Sequence, residues 1–127
     1  MSGVISPYPL GLALQKATPV AGFALQNATP TILSWTAPND GLLHRVLVFA
    51  CMDVTVAETG GNVIIGLAMP DGVGGGPALM NGNQGTGFNY GYSSAAFIIK
   101  AGSTVTVQQS VALTAGAATL WAEIWGS

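Results

Sequence analysis

Apolar and polar residues alternate with a period of two through the last third of the chain. Residues 94–126 hold three extended segments, separated at Ala101-Gly102 and Ala115-Gly116. In the middle segment Val105, Val107 and Gln109 point one way and Thr104, Thr106 and Gln108 the other. In the last, Leu120, Ala122 and Ile124 face one side and Trp121, Glu123 and Trp125 the opposite side. This alternation, rich in β-branched and aromatic residues, predicts half-buried antiparallel strands. The second face of the last strand sets two indoles around one carboxylate. Full burial of a large apolar side chain is worth about 1.5–3 kcal/mol, so that face is expected to meet another surface.

Upstream the pattern is less regular. Residues 1–20 are broken by Pro7 and Pro9, carry no period and read as an irregular extended arm, made apolar by Ile5, Tyr8, Leu10, Leu12 and Leu14. Short strands are predicted over residues 22–26 and 31–36, joined by Asn27-Ala28-Thr29-Pro30. Pro38-Asn39-Asp40-Gly41 is a turn sequence that leads into a long strand over residues 42–56. One face of that strand carries Leu43, Arg45, Leu47, Phe49 and Cys51, the other Leu42, His44, Val46, Val48, Ala50 and Met52. Both faces are apolar near the middle, which predicts a central position in its sheet. Gly60-Gly61 leads to a strand over residues 62–69, ended by Pro70-Asp71-Gly72. The glycine-rich residues 72–91 read as a long loop with short strands near 77–80 and 88–92. About eight strands with turn signals between them, and no amphipathic helix, predict an all-β fold. The expected form is an antiparallel β-sandwich of jelly-roll type over residues 21–127, behind the arm of residues 1–20.

Composition sharpens this picture. Charged residues make up 6% of the chain, against roughly 25% in an average domain. A surface so poor in charge is weakly protected against self-association, which favours a permanent oligomer. Three basic residues cannot follow a phosphate backbone, so nucleic acid is not an expected partner. No apolar run approaches the ~20 residues of a membrane helix, and the N-terminus lacks the basic region of a signal peptide. Membrane association is not expected, and synthesis in the cytoplasm is. Cys51 is the single cysteine, which rules out an intrachain disulfide.

Little catalytic material is present. His44 is the one histidine, so a multi-imidazole metal site cannot be built, and a hydrogen-bonded strand histidine is the expected role. Cys51 lies in an apolar strand without a basic neighbour and reads as an inert thiol. The glycine-rich loop lacks the Gly-Lys-Ser/Thr ending of a phosphate loop, and the carboxylates match no EF-hand spacing. No enzyme, cofactor or metal is therefore expected. Tyr and Trp enrich protein interfaces, so Trp121, Glu123 and Trp125, with Phe97, form the expected oligomer interface. The alternative is a carbohydrate- or receptor-binding module with glycan contacts at Tyr90, Tyr92 and Asn89.

Residues Ala101-Gly102-Ser103-Thr104-Val105-Thr106-Val107, then Thr114-Ala115-Gly116 and Leu120-Trp121-Ala122-Glu123-Ile124-Trp125-Gly126, resemble the end of small virion proteins of tailed bacteriophages. Those proteins form capsid decorations or fibre heads. The arrangement also looks like the trimeric jelly rolls of the tumour-necrosis-factor and C1q type. The likeness covers residues 22–126 in strand order and the last third in residues. It implies a homotrimer packed around a threefold axis through apolar and aromatic strand faces. It further implies a place on the virion surface with the major capsid protein as partner, where the arm residues Ile5, Tyr8, Leu10, Leu12 and Leu14 would attach.

Overall fold

The computed structural model describes residues 11–58, 63–68, 78–82 and 93–127. Among these the chain is all-β and forms two antiparallel sheets. Its strands are β1 (Ala13–Ala17), β2 (Phe23–Ala24), β3 (Thr31–Thr36), β4 (Leu43–Val56), β5 (Val63–Ala68), β6 (Ala78–Gly82), β7 (Ser93–Lys100), β8 (Thr104–Gln109) and β9 (Ala117–Gly126). Sheet A runs β1–β9–β4–β7, with β2 pairing β9 beside β1; sheet B runs β3–β8–β5–β6. Apart from the β5–β6 hairpin, every link from β2 onward carries the chain from one sheet to the other.

The core lies between the layers, as the alternation predicts. Val46, Val48, Ala50, Met52 and Val54 of β4 and Leu120, Ala122 and Ile124 of β9 meet Leu33, Trp35, Ile65, Val105 and Val107 of sheet B in one buried cluster. β4 is central, paired with β9 on one side and β7 on the other. Gln109 shares the apolar face of β8 and is fully buried. Its Nε2 donates to the carbonyls of Gln26 (2.6 Å) and Val111 (3.0 Å), while its Oε1 accepts from the Gln26 N–H at 2.9 Å. The amide thus replaces a strand partner for the chain leaving β2, the compensation a buried polar group needs. Glu58 is likewise buried; its two carboxyl oxygens accept the N–H groups of Thr114 (2.7 Å) and Ala115 (3.0 Å), fixing the link into β9.

The structure departs from expectation at the N-terminal arm. Residues 13–17 are the edge strand β1, with Ala13 opposite Gly126 and Ala17 opposite Glu123, and Leu12 just before it is buried. The segment escapes the alternation rule because a bulge interrupts its register between Leu14 and Lys16. An edge strand with a bulge shows no clean apolar face. Residues 1–10 and the strand expected near 88–92 lie outside the described residues.

Candidate interaction surface

The outward faces of the two sheets differ in chemistry. On sheet B, Thr36 stands opposite Thr104, Ser34 opposite Thr106, and Thr31 opposite Gln108. The Thr36 and Thr104 hydroxyls bond at 2.7 Å, and the Gln108 amide donates to the Thr29 carbonyl at 3.2 Å. Across β3 and β8 that face is polar, the usual solvated side of an antiparallel sheet.

The outer face of sheet A is apolar. Reading across the strands, one level holds Leu14, Trp125, Leu47 and Ala96, and the next holds Glu123 and Phe49. Cys51 with Trp121 follows, and Arg45 with Ile98 stands on the other side of the Leu47 level. Several of these side chains keep much of their surface: Leu43 70%, Ile98 62%, Leu14 45% and Phe49 39%. Two shallow depressions mark the face. One, about 350 Å³, is lined by Phe49, Ala50, Cys51, Trp121, Ala122 and Glu123. The other, about 460 Å³, is lined by Leu12, Arg45, Val46, Leu47, Ala96, Phe97 and Ile98.

Trp121, Glu123 and Trp125 are thus brought together on this face, each half-buried. Part of Trp121 is used within the chain, since its indole N–H donates to the Val20 carbonyl at 2.9 Å. The turn carrying Val20 closes with the Gly22 N–H on the Pro19 carbonyl. Gly22 has φ +84°, and a Cβ there would stand 2.9 Å from Cε2 of Trp121, so glycine is needed for both backbone and space. Phe97 does not join this set: it stands opposite Val46, half-buried against the core cluster. Of the arm residues, Leu12 is buried and Leu14 lies on the outer face of sheet A. Ile5, Tyr8 and Leu10, like the glycan candidates Asn89, Tyr90 and Tyr92, lie outside the described residues.

The titratable groups have structural surroundings. His44 is buried, with Nδ1 2.8 Å from the Ser127 main-chain oxygen and Nε2 2.8 Å from Asp40 Oδ1. Both ring nitrogens face acceptors, which favours the doubly protonated ring. The bond to Ser127 and then that to Asp40 raise the His44 pKa. The Leu42 N–H, followed by His44, lowers that of Asp40. Gly41, at φ +77°, permits this tight turn, in which Asp40 Oδ1 also accepts the Leu42 N–H. Burial, then the nearby Asp53, pushes the half-buried Cys51 thiol up, away from the reactive thiolate. Among the described residues no three His, Cys, Asp or Glu side chains converge as a metal site would require. Sequence reasoning did not anticipate the His44–Ser127 and Trp121–Val20 contacts, whose partners are remote along the chain. Comparison with protein-family models, curated proteins and solved structures yields no match.

Proposed function

We propose that this protein is a structural, non-catalytic virion component, a homotrimer that decorates a bacteriophage capsid and associates with itself through the outer face of sheet A. The observation that carries the reading is the contrast between the hydroxyl-lined outer side of β3 and β8 and the apolar outer face of sheet A. Contiguous exposed apolar surface marks association sites. The low charge of the chain supports the same conclusion. Order and crossing of the strands support the jelly-roll reading, in which eight strands wrap as two Greek keys. Residues Ile5, Tyr8 and Leu10 would contact the major capsid protein.

Sedimentation equilibrium at micromolar concentration tests self-association. A mass three times that of the chain is expected, and a stable monomer overturns the reading. Phe49→Glu, which puts a charge on the exposed part of this face, should release monomers that remain folded by circular dichroism. Capsid attachment is tested by co-sedimentation with phage shells, where unbound protein at saturating shell concentration refutes the decoration role.

A further inference from the structure

The charged side chains of the apolar face are segregated along its strands. Lys100 stands opposite Leu43, and Arg45 opposite Ile98, so both cations lie near the start of β4. Glu123 of β9 stands opposite Phe49 and Asp53 of β4 opposite Thr119, so both anions lie level with later residues of β4. Arg45 precedes Phe49 by four residues on β4, about 13 Å along an extended strand. Among the described residues the side-chain ion pair is that of Asp40 with His44, elsewhere in the fold. A half-buried carboxylate between two tryptophan levels is tolerable while water reaches it. Once a second surface covers it, an unpaired charge becomes strongly unfavourable.

We propose that the surface covering this face is a second copy of the chain, set so that Arg45 of one copy pairs with Glu123 of the next. This deepens the self-association reading and rests on it. One copy presents a cationic end and an anionic end on the same apolar ground, so like ends repel and unlike ends attract. In the proposed trimer each contact is heterologous, the cationic end of one copy on the anionic end of its neighbour, whereas a twofold dimer would make the same pair twice. Such contacts can close into a ring. Lys100, beyond Arg45, and Asp53, beyond Glu123, add attraction of the same sense.

Charge exchange is the test. Arg45→Glu and Glu123→Arg are made singly and together, and assembly is followed by sedimentation velocity over a dilution series. The Arg45 main-chain N–H bonds Ser127 Oγ at 2.9 Å, a contact that the side-chain change leaves in place. Each single variant should weaken assembly by about a hundredfold or more, and the double variant should recover most of that loss. Single variants that assemble like the parent refute the pair while leaving self-association intact. A double variant as weak as the singles also refutes it. A parent chain that is monomeric throughout removes the self-association reading itself.

Discussion

Replacing Gln109 with leucine tests how the chain closes the end of the sandwich. The side chain is fully buried and makes three hydrogen bonds to main-chain groups, two with Gln26 and one with Val111. Leucine keeps most of the volume but leaves one N–H and two carbonyls without their partner. At about 0.5–1.5 kcal/mol net for each bond, the loss amounts to roughly 2–4 kcal/mol. Added apolar burial offsets on the order of 1 kcal/mol, so a net loss of about 1–3 kcal/mol is expected. Urea unfolding measures it: with a slope of about 1–3 kcal/mol per molar, the midpoint should fall by roughly 1 M. Parent and variant must be compared at one protein concentration, because self-association would add apparent stability. Gln109→Glu makes the logic sharper. Its carboxylate would face two carbonyls that can only accept, so the buried acid should be held neutral and its folded pKa raised. Stability of that variant should decline as pH rises above the ordinary glutamate range. A leucine variant within about 0.5 kcal/mol of the parent, the normal scatter of surface changes, would show that Gln109 does not hold this segment.

Two further outcomes follow from groups already described. His44 is the one histidine, so its ring signal in a proton NMR titration needs no assignment. Its raised pKa means that the stability it contributes is fully present below 6.5, the ordinary value, and is lost as pH rises through the folded value. The lowered pKa of Asp40 means that its contribution is present above 3.8 and is lost as pH falls through the folded value. Their joint stabilisation is therefore complete between 3.8 and 6.5, and a ring midpoint at or below 6.5 would refute the account. Gly126→Ala should cost about 1–3 kcal/mol by overpacking, because a Cβ there would stand 2.5 Å from Trp35 Cη2 across the sandwich. Thermal melts that leave Gly126→Ala unchanged would mean that the layers separate more easily than this contact implies.

Strand identity was legible wherever one face of a strand is buried and the other is not. β8 and β9 show this most plainly: Val105, Val107 and Gln109, and Leu120, Ala122 and Ile124, are the inward residues that the period of two marks. Alternation also sets Phe97 with the buried Ile99, a signal that argues against its place among the outward aromatics. Strand pairing was not legible. Local pattern does not say that β9 lies between β1 and β4, since neighbours are fixed by how the layers close and not by residues near in sequence. The same limit hid the candidate surface. Trp121 and Trp125 announced an unusual face, but its breadth depends on Leu14, Leu47 and Ile98, which reach it from three other strands.

The place of β9 has a consequence for how the molecule is made. It pairs with β1, β2 and β4, so Ala13 meets Gly126 across nearly the whole sequence. Until residues 117–126 are available, β1 and β2 have no partner and the β9 edge of β4 stands open. Non-local pairing of this kind slows folding, and unpaired strand edges invite association with other chains. The apolar outer face of sheet A would add to that hazard in a nascent chain still lacking β9. A chain cut short before Ala117 would display an aggregation-prone sheet in which β4 has an open edge where β9 belongs.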